Sequence, residues 1–271
     1  MKRALSLAFM TVAELSPPDA VSAARHAGYD SVDLRLLPVA PGDKTYDLSA
    51  RSPVIRQALE RMASTGIPVF DVEQIKITRE LDIRLLEPFF ETVVRLGARR
   101  VKVAAVEPDR SMVVDKMAAI CERMRPHDIS VDLEFMMWSS VPTLKDAEQV
   151  VAAMGCDNAG ILVDALHLSR SGGTPADIAG IPPRRFGYVH LCDAPAALPA
   201  DTAAMLEEAR TQREFPGEGE LPLVSLLRTL PAGLTVSVEL ALRDRGYDAQ
   251  TRARLGAESA RRVIALADHR D

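Results

Sequence analysis

Residues 160–167 read Gly160-Ile161-Leu162-Val163-Asp164-Ala165-Leu166-His167. The run 160–164 is apolar until it meets a carboxylate. It lacks the strict alternation of a half-exposed strand, so it is expected to be covered on both faces, as in a parallel sheet packed by helices. Residues 31–34 have the same character. On either side lie further β-like runs at 4–10, 68–75, 100–105, 130–136, 187–191 and 235–240, which brings the total to eight. Segments of helical period separate them. Ser16-Pro17-Pro18-Asp19 opens a helix over 20–26, Ser52-Pro53 opens one over 54–64, and Thr143 opens one over 144–154. Gly28, Gly66, Gly97 and Gly155 fall just past helices, where a left-handed cap is expected. Eight strand–helix units in 271 residues fit a (β/α)8 TIM barrel, an α/β single domain over 1–271. An active-site loop insertion is expected near 195–222, with a helical piece at 203–210 and then the irregular Phe215-Pro216-Gly217-Glu218-Gly219. The competing architecture is an open doubly wound sheet, but no G-x-G-x-x-G follows the first strand.

With 47% hydrophobic and 26% charged residues, the chain can bury a core without disulfides. A net charge of −5 gives no polyanion-binding footprint, so no nucleic acid and no anionic membrane is expected as a partner. A small molecule is the expected partner, and a homo-oligomer is compatible with the composition. Cys121, Cys156 and Cys192 are far apart and form no C-x-x-C, which suits a reducing, cytoplasmic protein. The apolar start superficially imitates a signal peptide, but Glu14 and Pro17-Pro18-Asp19 break it. It is too short to span a bilayer, so a buried first strand is expected.

In a barrel the chemistry sits at the C-terminal ends of the strands. Strand five ends Val131-Asp132-Leu133-Glu134-Phe135, and strand six ends Val163-Asp164-Ala165-Leu166-His167. Strand seven runs Tyr188-Val189-His190-Leu191-Cys192-Asp193, and strand eight runs Val236-Ser237-Val238-Glu239-Leu240. Four successive strands thus deliver Glu134, Asp164, His190 and Glu239. Each is embedded in apolar sequence, where an unpaired charge costs several kcal/mol. The compensation is either an Arg or Lys from a neighbouring strand or one shared divalent cation. Three carboxylates and an imidazole form an oxygen and nitrogen donor set suited to Mn²⁺, Mg²⁺, Co²⁺ or Zn²⁺. Lys102 in strand four lines the barrel mouth or snorkels to water. Arg35, Glu73, Gln74, Trp138 and Arg243 are secondary pocket candidates, and Cys192 reads as a small buried hydrophobe.

With these residues in view, the chain resembles the xylose isomerase-like TIM-barrel superfamily, in particular its sugar phosphate isomerase/epimerase branch. The likeness rests on Glu134 after an apolar strand, Asp164-x-x-His167, Val189-His190-Leu191-x-Asp193, the Arg213-x-Phe-Pro-Gly-Glu-Gly219 loop and Val238-Glu239. It implies that Glu134, Asp164, His190 and Glu239 hold one divalent metal ion, often Mn²⁺. It also implies that His167 and Arg213 bind substrate and that Glu134 and Glu239 serve as acid and base. The reaction so implied is isomerisation or epimerisation of a sugar or small hydroxy ketone by proton transfer through an enediolate.

A dehydratase of the inosose or 3-dehydroshikimate type shares the first proton abstraction and stands as the alternative. An apurinic endonuclease-type phosphodiesterase needs several more histidines than His167 and His190. His26, His127 and His269 fall in a helix, a turn and the tail. A non-catalytic sugar-binding barrel is expected to lack one of the four ligands. Leu191-Cys192-Asp193-Ala194-Pro195 contains no glycine-rich phosphate cradle, which favours an unphosphorylated substrate.

Overall fold

The computed structural model describes residues 3–40, 42–242 and 245–269, so Arg243 lies outside the described residues. Eight parallel strands close in sequence order into a barrel, which excludes the open doubly wound sheet. They are β1 (Leu5–Leu7), β2 (Ser31–Arg35), β3 (Val69–Ile77), β4 (Arg100–Ala105), β5 (Ser130–Glu134), β6 (Ala159–Asp164), β7 (Phe186–Leu191) and β8 (Val236–Val238). The expected strand at 4–10 is shorter than the apolar run suggested, because Phe9–Val12 forms a 3₁₀ turn. Thr11 causes this: its hydroxyl donates to the Val238 carbonyl at 2.7 Å and accepts from the Leu240 N–H at 2.8 Å, drawing the chain across the barrel mouth.

The helices begin and end where their caps dictate. Ser52 accepts from the Ile55 N–H ahead of Pro53–Thr65, and Thr143 accepts from Asp146 ahead of Leu144–Met154. Gly28 and Gly155 close their helices in the left-handed region, at φ 76° and 63°. Among the described residues, no helix is long and apolar enough to cross a membrane.

The strand period of two sorts side chains between two very different environments. Outward-facing Leu7, Val32, Val101, Val103, Val131, Leu133, Ile161, Val163, Val189, Leu191, Val236 and Val238 pack beneath the helices and form the continuous hydrophobic core. Each fully buried aliphatic side chain contributes about 1.5–3 kcal/mol. The barrel interior is instead polar. Phe70, Leu162 and Tyr188 form a small separate apolar cluster, while Asp33, Asp71, Glu73, Lys102, Asp132, Glu134, Asp164, His190 and Glu239 are all buried. These charges are matched in layers. Deep in the barrel, Arg100 holds Asp132 at 2.8 Å and lies over the rings of Phe70 and Tyr188. Tyr188 donates to Asp71 at 2.9 Å. Ser6 and Ser237 both donate to Asp33, whose carboxyl burial pushes up to about 6 against those two donors.

Gly187 makes the Arg100–Asp132 layer possible. A Cβ there would overlap the Asp132 carboxylate and come within 2.8 Å of the Arg100 guanidinium. Gly187→Ala is therefore expected to cost about 3 kcal/mol or more, since overpacking and disruption of a buried ion pair act together. Urea unfolding measures this, and a loss under about 1 kcal/mol means the layer relaxes freely.

Candidate active site

The four carboxylate and imidazole residues anticipated on β5 to β8 converge. Glu134 ends β5, Asp164 ends β6, His190 sits one residue before the end of β7, and Glu239 follows β8 directly. Strand pairing aligns Asp164 with His190, while Glu134 pairs with Leu162, two residues before Asp164, and Glu239 lies two residues beyond Ser237, the partner of His190. One ligand atom from each of the four lies within 4.8 Å of the others, and all four residues are buried. His190 Nδ1 is 3.3 Å from Glu239 Oε1, 3.4 Å from Glu134 Oε1 and 3.7 Å from Asp164 Oδ2. Yet neither ring nitrogen of His190, nor Glu134 Oε1, has a formed hydrogen bond. Buried polar atoms left without partners are costly, and a cation among them supplies what they lack. The donor set therefore fits a divalent metal ion of the kind that takes mixed oxygen and nitrogen ligands.

Asp164 does two jobs through its two oxygens. Oδ1 accepts from the N–H groups of Leu166 and His167 at 2.8 and 3.0 Å, capping the helix Ala165–Arg170. This is the physical content of Asp164-x-x-His167: the cap fixes His167 in the first helical turn. There His167 is buried, edge-on to Trp138 with ring centroids 5.0 Å apart, and it lines the cavity above the cluster. Burial holds its imidazole below the usual range despite the nearby Asp164, and its Nδ1 has no partner.

Two buried cations frame the cluster. Lys102 does not snorkel: its ammonium lies 2.7 Å from Glu73, 3.4 Å from Glu134 and 3.6 Å from Glu239, with the residue 2% exposed. Burial opposes its charge, but the carboxylates outweigh burial and hold it above its usual range. Arg213 donates to Asp164 Oδ2 at 2.7 Å, lies 2.9 Å from Glu239 Oε2, and donates to Cys192 Sγ at 3.2 Å. Arg213 is thus the loop arginine that enters the cluster, while Arg210 stays at the exposed rim. Burial disfavours ionisation of Glu239, yet His190, Arg213 and Lys102 keep it well below the normal carboxylate range.

The segment carrying Arg213 is pinned rather than loose. The helix Thr202–Thr211 begins at an Asp201 cap and is tied down by a two-pronged Arg170–Glu208 pair, both contacts at 2.7 Å. Asp193, the last residue of the Val189-His190-Leu191-x-Asp193 motif, accepts from Gly217 and Leu221 N–H groups at 2.8 and 2.9 Å. Its backbone also bridges to Glu214. Gly219 must be glycine here, because a Cβ would come within 2.6 Å of the Ala194 carbonyl and the Asp193 carboxylate.

The cavity over the cluster measures about 200 Å³. Glu134, Glu239, His167, Lys102 and Arg213 reach it, as do Arg35, Gln74 and Trp138 among the secondary candidates. Glu73 lies behind, bound by Lys102 and by Arg35 at 2.9 Å. Met10, Val39 and Lys76 also line the cavity. The sequence reading did not single them out, since nothing in their local pattern separates them from ordinary strand and loop residues.

The xylose isomerase-like TIM barrel family profile matches residues 21–263. A 3-dehydroshikimate dehydratase of Pseudomonas putida is 26% identical over 263 residues, covering 92% of this chain and 39% of the relative, so the chain spans about two fifths of that protein's length. An inosose isomerase of Bacillus velezensis is 22% identical over 79% of each chain. Among solved structures, the IOLI protein with a binding zinc atom superposes with a TM-score of 0.81 at 18% identity, covering 97% of this chain and 98% of that one. D-allulose 3-epimerase from Methylomonas sp. in complex with D-allulose gives 0.72 at 14% identity, covering 96% and 97%. At these identities the structural likeness concerns the fold.

Proposed function

This chain belongs to the xylose isomerase-like TIM barrel family, and from that premise we propose that it is a metal-dependent isomerase or epimerase of a sugar or other small polyhydroxylated ketone. The observation that carries the reading is the convergence of Glu134, Asp164, His190 and Glu239 within 4.8 Å at the cavity floor, with His190 and Glu134 Oε1 left without hydrogen-bond partners. These four residues are the proposed ligands of one divalent ion, with Mn²⁺ first among the candidates. Such an ion polarises a carbonyl and offsets the negative charge that builds on its oxygen as an α-proton departs.

The chain's own groups do the rest. Glu134 takes the proton through the carboxylate oxygen that does not ligate the ion, and Glu239 is the second carboxylate available to return it on the other side. His167 faces the cavity with an unpartnered Nδ1 and serves a substrate oxygen. Lys102 and Arg213 line the same cavity, hold the glutamates in place and present cationic groups to the substrate. The helix Thr202–Thr211 and the Arg213–Gly219 loop limit access of water to the reacting carbons.

The 26% identity to a 3-dehydroshikimate dehydratase favours a second reading, in which the same proton abstraction is followed by loss of a β-hydroxyl. One experiment separates the two. Metal-loaded protein is incubated with a panel of keto sugars and cyclic keto polyols in D₂O and followed by NMR. Deuterium entering at the carbon next to the carbonyl, with an isomer or epimer appearing, is the expected result. Water loss without return of the substrate's isomer selects the dehydratase. The metal arm is read on its own: about one divalent ion per chain, lost in Asp164→Ala combined with His190→Ala. Full metal content in that double variant would sink the ligand assignment.

A further inference from the structure

Cys121 and Cys156 are distant in sequence, yet the fold brings their side chains together on the outside of the barrel. Cys121 lies in the last turn of the helix Arg110–Met124, and Cys156 follows the helix Leu144–Met154 just after its Gly155 cap. The two helices pack side by side. Asn158 fastens the connection: its amide donates to the Cys121 carbonyl at 2.9 Å and to the Ile129 carbonyl at 3.0 Å, which holds the segment 156–158 against the end of the first helix. The Cys121 thiol stands within hydrogen-bonding reach of the Cys156 sulfur, and the Cys156 thiol donates to the Met154 carbonyl at 3.5 Å. We propose that this pair is a covalent modification site, at which hydrogen peroxide converts Cys121 and Cys156 into a reversible disulfide within the chain.

The two sulfurs differ in access, and that difference assigns their roles. Cys156 is half-buried and Cys121 fully buried, so peroxide meets Cys156 first. Burial, with the second thiol beside it, pushes the Cys121 thiol above the usual range, which suits the group that resolves an oxidised partner rather than the one that attacks peroxide. In the first step the Cys156 thiolate attacks one peroxide oxygen. An S–O bond forms, the O–O bond breaks, and the hydroxide released takes up a proton to become water. In the second step the Cys121 sulfur gives up its proton and attacks the sulfenic sulfur of Cys156, so that the S–S bond forms and the hydroxyl leaves as a second water. Two thiols lose two electrons and peroxide gains them.

The backbone on the Cys156 side has room to bring the sulfurs to bonding distance. Cys156 lies in the short connection between Met154 and Ala159, outside both helix and strand, so a small shift there breaks no helical or strand pairing. The bond closes a loop that contains β5, and it ties the entry of β6 to a neighbouring helix. Cys192 takes no part: it is buried at the catalytic cluster, where its sulfur accepts from Arg213 at 3.2 Å.

The test treats the reduced full chain with hydrogen peroxide, alkylates the remaining thiols under denaturing conditions, and reads the mass with and without dithiothreitol. The expected result is the loss of two hydrogens per chain and alkylation of Cys192 alone instead of all three cysteines. Digestion without reductant should give a peptide pair joined through Cys121 and Cys156, and dithiothreitol should restore three free thiols. The oxidised chain is expected to unfold about 5 °C or more above the reduced one, because the cross-link restricts the unfolded chain. Cys156→Ser, at a half-buried position, is expected to abolish the bond. Cys121→Ala is expected to leave Cys156 as a sulfenic acid that dimedone captures, and where that variant fails to fold, Cys156→Ser and the peptide map carry the test. Oxidation of Cys156 to the sulfinic acid with Cys121 still alkylated, a disulfide between two chains, or a link that includes Cys192 overturns the proposal. A cross-link that lowers the unfolding temperature shows sulfurs forced together and overturns it as well. Neither metal nor substrate enters these measurements, so their outcome is independent of the functional reading.

Discussion

Glu134→Gln is expected to lower deuterium exchange at the substrate's α-carbon by about 10²- to 10⁴-fold while metal content stays near that of the unaltered chain. The two carboxylate oxygens of Glu134 stand in different surroundings. Oε2 faces Lys102 and Gln74, each at 3.4 Å, whereas Oε1 is buried and has no hydrogen-bond partner. Glu239 is more tightly engaged, with Arg213 2.9 Å from its Oε2. A carboxylate gripped by a guanidinium is a poorer base than one facing an ammonium at longer range, so the heavier catalytic loss belongs to Glu134. The amide keeps an oxygen able to ligate a cation but cannot take a proton. A loss of that size corresponds to about 3–5 kcal/mol of transition-state stabilisation. NMR exchange rates and metal analysis on the same samples check it. A rate within about tenfold of the unaltered chain, with metal bound, removes Glu134 from the role of base.

What the sequence allowed to be read, and what it hid, follows from how barrel side chains alternate. The outward face is written in aliphatic runs, so strands at 31–34, 100–105 and 160–164 agree closely with β2, β4 and β6. Position along a strand then separated Glu134 from Asp132, which lies on the same inward face two residues earlier. The former reaches the cavity at the strand's C-terminal end, and the latter is locked to Arg100 deep in the barrel. The pairings across the barrel were invisible, because Tyr188 meets Asp71 across 117 positions and Ser237 meets Asp33 across 204. Such contacts depend on ring closure, which no local pattern encodes. Asp33 and Asp71 did leave a signal, a lone carboxylate inside an apolar strand, but that signal alone does not say whether the partner is a hydroxyl, a guanidinium or an ion. Lys102 had the same ambiguity. Only the convergence of three carboxylates on its ammonium separates a buried counter-charge from a snorkelling surface lysine.

Arg213→Ala is expected to destabilise the metal-free protein by about 3–5 kcal/mol, the cost of leaving a partner of a buried ion pair uncompensated. In thermal unfolding with chelator present this is a fall of about 10 °C. The expectation follows from what Arg213 holds: Asp164 at 2.7 Å, Glu239 at 2.9 Å and, through Nε, the Ala209 carbonyl at 3.0 Å. Without it, Asp164 keeps the Leu166 and His167 N–H groups and His190, and Glu239 keeps His190 and Lys102. The same reasoning sets the response to metal. A divalent cation held, as proposed, by Asp164 and Glu239 would supply the charge that the missing guanidinium withdrew, so Mn²⁺ is expected to raise the unfolding temperature of Arg213→Ala by more than it raises that of the unaltered chain. Arg213→Lys is expected to recover little, because a single ammonium cannot reach both carboxylates and the carbonyl in the geometry of a planar fork. Equal metal-induced shifts in variant and unaltered protein would mean that Arg213 and the cation do not share the task of neutralising these ligands. Arg213 would then be a packing residue of the 213–221 loop, whose loss is felt through Phe215 and Asp193 instead.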